Sequence, residues 1–77
     1  LITHTPPKDI LDLTSLGENV GCAPLSHAMK SLNIKAHIFG HIHEAYGTLH
    51  QDGTTYVNAC NCSLQYVAEQ APIIIDL

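Results

Sequence analysis

The chain has 77 residues, 45% hydrophobic and 13% charged, with a formal net charge of −4 at pH 7. That length holds at most one small domain with a modest core, and the apolar fraction excludes an intrinsically disordered chain. Lys8, Lys30 and Lys35 are the only strong cations, so the basic stripe that a nucleic-acid partner requires is missing.

Leu1-Ile2-Thr3-His4 reads as a strand ending at His4, because Thr5-Pro6-Pro7 comes next and proline lacks the amide donor. Asp9 to Gly17 is a weak, partly helical stretch with Asp9, Asp12 and Ser15 turned to solvent. Gly21 to Leu32 is the helix, since Cys22, Leu25, Met29 and Leu32 recur on one face. Pro24 fits only its first turn, which sets the start near Gly21 or Cys22, and Asn33 is the stop. Ala36 to Gly40 is the second strand, close behind the helix as in a β-α-β unit. Tyr46 to His50 and Thr54 to Ala59 form a hairpin about the Asp52-Gly53 turn signal. Ser63 to Val67 is a further possible strand. Pro72 to Leu77, with its Ile73-Ile74-Ile75 run, is a strand covered on both faces. The class is mixed α/β: β-α-β followed by antiparallel strands.

One helix cannot cover both faces of such a sheet. The expectation is therefore a piece of a larger domain, completed by its missing part or by another chain. Nothing resembles a signal peptide, and no apolar run approaches the ~20 residues that span a bilayer. No membrane partner is therefore expected, and three cysteines, Cys22, Cys60 and Cys62, which cannot all pair within one chain, point to free thiols in a reducing cytoplasm. Cys60 and Cys62 also form a C-x-C pair that can bind zinc, although structural zinc sites usually show two such pairs. Buried apolar packing is the plainer reading of these thiols.

Gly40-His41-Ile42-His43 carries the chemistry. In an extended segment residues i and i+2 face the same way, so His41 and His43 can point into one cavity. Gly40, lacking Cβ, permits a tight turn or close approach to an ion and substrate. The plainer reading is two polar residues in the loop after a strand. An enzyme acting on phosphate esters with so few cations needs metal ions to neutralise its substrate.

His4 at a strand end, the Thr3-His4-Thr5-Pro6-Pro7 loop and Gly40-His41-Ile42-His43 together resemble the last two motifs of calcineurin-like metallophosphoesterases. Gly40-His41-Ile42-His43-Glu44-Ala45-Tyr46-Gly47, with Thr55-Tyr56-Val57-Asn58-Ala59 and Pro72-Ile73-Ile74, resembles more narrowly the metallophosphoesterase-domain-containing branch. The resemblance extends over essentially all of residues 1–77, as the C-terminal portion of the family's domain. It implies a four-layer α-β-β-α sandwich holding two divalent metals, with Mn, Fe, Zn or Ni as the candidates. It further implies that His4 and His41 ligate one metal and His43 the other. The implied function is hydrolysis of small phosphate esters by a metal-bridging hydroxide attacking phosphorus. Phosphodiester or cyclic-nucleotide substrates come first, phosphomonoesters next.

The family's earlier motifs, Asp-x-His, Gly-Asp and Gly-Asn-His followed by an acid, do not occur in this chain. No catalytic residue is therefore assigned within it, neither metal has a full ligand set, and the chain alone is expected to be silent. A truncated, non-catalytic binding or scaffold module is the alternative. A small metal protein joining histidines to Cys60 and Cys62 is a third. Around the site, Glu44 either accepts an imidazole N–H or is an exposed loop acid. Asn58 either orients a loop near the site or satisfies turn backbone. Tyr46 flanks a nucleobase or packs the hairpin, with packing favoured. His37 is read as a packed or rim residue, and His27 and His50 as surface residues.

Overall fold

Valine, threonine and tyrosine alternate in Thr54-Thr55-Tyr56-Val57-Asn58, the composition that suits a pleated, half-buried surface. In the computed structural model, which describes residues 1–60 and 70–75, this segment is the central strand β3 (Thr54–Asn58). On one side it pairs in parallel with β1 (Ala36–Phe39), His37 standing beside Tyr56 and Phe39 beside Asn58. On the other it pairs antiparallel with β2 (Gly47–Gln51), Thr48 beside Val57. The order is β1-β3-β2. Asp52 and Gly53 join β2 to β3 with φ of 51° and 79°, the two positive values that a type I′ hairpin turn needs.

The first residues extend this sheet. Ile2 bridges Ile38 in parallel, the Thr3 N–H donates to the Ile38 carbonyl at 3.0 Å and the Ile38 N–H to the Leu1 carbonyl at 2.9 Å. The chain then crosses through helix α1 (Ala23–Met29) to β1; the expected β-α-β order is met only in part, because the first segment makes a single bridge where a strand was expected. Cys22 is the N-cap and a proline occupies the first turn, where its missing N–H costs nothing.

The helix is shorter than its apolar spacing predicts. After Met29 the bonds tighten to i→i+3, Lys30 N–H to His27 and Ser31 N–H to Ala28 at 3.2 and 3.1 Å. The Ser31 hydroxyl also donates to the Ala28 carbonyl at 3.1 Å, the side-chain competition that disfavours helix continuation. Leu32 is half exposed.

Asp9 to Gly17 is not helical, and Asp12 is buried instead of turned to solvent. Asp9 and Leu11 have φ of 69° and 49°, which a right-handed helix excludes. The Asp12 carboxylate gathers the Asp9 and Gly21 N–H groups at 2.9 and 2.8 Å and the Asn19 amide at 2.7 Å. Gly21 is the residue this packing requires: a Cβ there would stand 2.4 Å from the Pro7 carbonyl oxygen. Residues 72–75, expected in a strand, form none, because a strand exists only through a ladder and they find no partner among the described residues. Ile74 is 91% exposed. The expected strand at 63–67, and Cys62, lie outside the described residues.

Ile10, Met29, Phe39 and Tyr56 form the buried cluster, with Leu11, Ile34 and Leu49 against it. The described residues thus make one three-stranded mixed sheet with one α-helix, an α/β unit. Among them no helix is long and apolar enough to cross a membrane.

Candidate metal centre

Parallel pairing of the first segment with β1 brings their C-terminal ends together, where His4 and Gly40 stand. The Gly40 N–H donates to the His4 carbonyl at 3.1 Å. The Thr3 hydroxyl reaches over His4 to the Thr5 carbonyl at 2.9 Å, turning the chain at that residue. Pro6 and Pro7, both fully buried, stiffen the path of the chain leaving that turn.

Beyond Gly40 the chain is not extended, which corrects the reasoning from alternating side chains. The Ile42 N–H donates to the Gly40 carbonyl at 2.8 Å, closing a three-residue turn about His41. His41 itself takes φ 71°, so the left-handed position falls on the imidazole-bearing residue and not on Gly40. Gly40 is confined instead by a neighbour, since a Cβ would lie 3.3 Å from the Cys60 Sγ. His43 opens a short 3-10 helix, His43–Ala45.

The turn sets the His41 ring beside that of His4, centroids 4.8 Å apart and planes at 44°. Two imidazoles on one ion at ~2.0–2.1 Å, separated by a right to tetrahedral angle, have centroids roughly 4.5–5 Å apart. The observed 4.8 Å separation lies in that range, and both residues are exposed. Among the described residues no group of three His, Cys, Asp or Glu side chains converges as a metal cage. His43 is half-buried, one turn further on.

Asn58 holds this arrangement from below. Fully buried at the end of β3, it donates its amide to the carbonyls of Leu11 and Ile42 at 3.1 and 2.9 Å and accepts the Cys60 N–H at 3.1 Å. It ties the turn after His41 to two other segments, so both weighed readings apply: it satisfies backbone, and that backbone carries the histidines. Glu44 is an exposed loop acid that ties this turn to the loop at Ser15. Its carboxylate takes the Ser15 N–H at 2.9 Å, and that bond, ahead of a small contribution from His43, holds its pKa below the usual range. The Tyr46 hydroxyl donates to the Ala71 carbonyl, and its ring lines a cavity of about 410 Å³ with Leu11, Asp12, Thr14, Ser15 and Glu44. None of the three histidines lines that cavity. His27 and His50 are exposed, as expected.

Sequence reasoning missed the burial of Asp12, and left His37 between a packed and a rim position where the structure has it packed. Asp12 was masked by its polar type, although an acid near Asn19 and Gly21 is the composition of a carboxylate-centred loop. His37 is fully buried, packed by Phe39 and Tyr56 at ring-centroid distances of 5.2 and 5.7 Å. Its place in an alternating strand was visible; its partner across the sheet was not.

The described residues thus form an α/β unit in which the His4 and His41 rings lie side by side beyond the end of β1. No family model matches the chain. Its whole length is 43% identical, over 79 residues, to metallophosphoesterase domain-containing protein 1 of Homo sapiens, covering 24% of that protein. The same figures hold for the protein of that name in Mus musculus. A UPF0046 protein of Caenorhabditis elegans is 38% identical over 78 residues, with 20% of it covered. The chain is thus related over its whole length to the metallophosphoesterase domain-containing branch, and spans about a quarter of those relatives.

Proposed function

We propose that this chain is the C-terminal portion of a dinuclear-metal phosphoesterase domain, and that it acts on small phosphate esters, with phosphodiesters and cyclic nucleotides first. The observation that supports it is the approach of His4 and His41 on adjacent strand ends, at a separation that suits one ion. His4 and His41 hold the first metal and His43 contributes to the second. Divalent ions of the Mn, Fe, Zn or Ni type would supply charge neutralisation and an activated nucleophile.

This chain's own residues do the positioning. The Asn58 amide fixes the Ile42 carbonyl and with it the turn that presents His41. The Gly40–His4 backbone bond keeps the two imidazoles in register. With two converging donors and no third among the described residues, the isolated chain binds metal weakly and does not turn over. That is also the observation behind the second reading, a non-catalytic module. The rest of the domain, or another chain, supplies the missing ligands, and the odd cysteine count suits a cytoplasmic setting.

Calorimetry and a phosphodiester assay separate these readings. Isolated chain should show weak Mn or Zn binding and no turnover; tight binding with measurable hydrolysis would overturn its assignment as an incomplete site. In the full-length protein carrying this chain, His41→Ala should abolish hydrolysis. Unchanged hydrolysis would remove the metal role, and absence of hydrolysis in the parent protein would favour the non-catalytic module.

A further inference from the structure

His37 is a polar side chain with no solvent access, in a strand whose neighbouring core is Phe39 and Tyr56. Its Nε2 lies 2.9 Å from the Thr3 Oγ1. The Thr3 hydroxyl has one proton, and it is committed to the Thr5 carbonyl at 2.9 Å. Thr3 can then only accept from His37, so Nε2 carries the ring proton. The Nδ1 nitrogen is left as a bare lone pair, buried and with no hydrogen-bond partner among the described residues. Burial holds the His37 pKa below the usual histidine value, so the ring stays neutral.

A buried imidazole with half its hydrogen-bonding capacity unmet is costly compared with an apolar residue of similar volume. The geometry suggests what offsets that cost. The relay runs from the His37 Nε2–H to the Thr3 hydroxyl and on to the Thr5 carbonyl, and Thr3 and Thr5 flank His4 on either side. Without a donor from His37 the Thr3 hydroxyl could rotate and release the Thr5 carbonyl, and the turn at His4 would lose its closing bond.

We infer that His37 is a positioning residue for the metal centre: through Thr3 it locks the turn that aims His4 at His41. The inference rests on the proposed role of His4 as a ligand. It assigns the relay to shaping the site and not merely to filling the core. Partners one step removed from a metal ligand typically change affinity by about 10–100-fold when lost.

Amide substitutions test it, because the Gln nitrogen reaches the place of Nε2 while the Asn nitrogen reaches only that of Nδ1. In the full-length protein carrying this chain, Zn affinity is measured by calorimetry alongside thermal unfolding. His37→Asn and Thr3→Val should each weaken Zn binding about tenfold, their double variant no further, and His37→Gln should restore it. Nitrogen NMR of the metal-free protein should show His37 protonated at Nε2. If His37→Asn and Thr3→Val bind Zn like the parent while His4→Ala does not, the relay is overturned and the ligand assignment stands. If His4→Ala also binds like the parent, the ligand assignment itself is overturned. Equal loss in His37→Asn and His37→Gln, in step with unfolding temperature, would reduce His37 to a core residue and overturn the positioning role. Should the His37 variants fail to fold, Thr3→Val, at a half-buried position, decides alone by the same criterion.

Discussion

His41 occupies left-handed backbone at φ 71°, which costs a non-glycine residue about 1–2 kcal/mol. That conformation accompanies the placing of the His41 imidazole beside that of His4. His41→Gly should therefore stabilise the fold by about 1 kcal/mol while weakening metal binding at least about tenfold; denaturant melts and calorimetry read the two effects separately. The restraint comes from Asn58. Asn58→Ala removes the donor to two carbonyls and the acceptor for one N–H, and should cost about 2–4 kcal/mol. Asn58→Asp should cost more at neutral pH, since a carboxylate would face the Leu11 and Ile42 carbonyls, and the excess should shrink on acidification.

At the scale of elements, the legible parts were those set by local chemistry. Asp52-Gly53 names its turn because few residues accept positive φ, and Gly53→Ala should cost about 1–2 kcal/mol in a denaturation experiment, the added Cβ meeting no neighbour within 4 Å. Pro24 marks a helix start, and the apolar run before Gly40 marks β1. Asp9 to Gly17 was misread because its conformation is dictated by bonds to Asn19 and Gly21, which lie further along the chain. Residues 72–75 were misread because an apolar run states a preference for burial, not the presence of a partner. At the site, spacing pointed to His41 and His43, and the family resemblance added His4. Their relative placement depended on the turn at His41 and on Asn58, which no spacing rule contains.

At the scale of the whole molecule, two buried groups, His37 and Asp12, contribute to acid stability. Below the ordinary histidine pKa the unfolded chain takes up a proton that buried His37 refuses, so stability falls as pH drops from about 6.5 towards its folded value. For Asp12 burial alone would raise the carboxyl pKa, but the Asn19, Asp9 and Gly21 donors outweigh it and the pKa is lowered. Its contribution is present above the unfolded carboxylate value and is lost as pH falls through the folded one. Unfolding monitored against pH should show both stages; His37→Phe should remove the first and Asp12→Asn the second.

Ile2 and Leu16 are 78% and 86% exposed, which accords with a unit that continues into a larger domain. The central claim is that His4 and His41 share one ion in that domain. Imidazole NMR of the full-length protein carrying this chain, titrated with Zn, tests it most directly. His4 and His41 should shift together with one apparent affinity, while His27 and His50 stay still. Independent titration of His4 and His41, or equal shifts at His27 and His50, would contradict it.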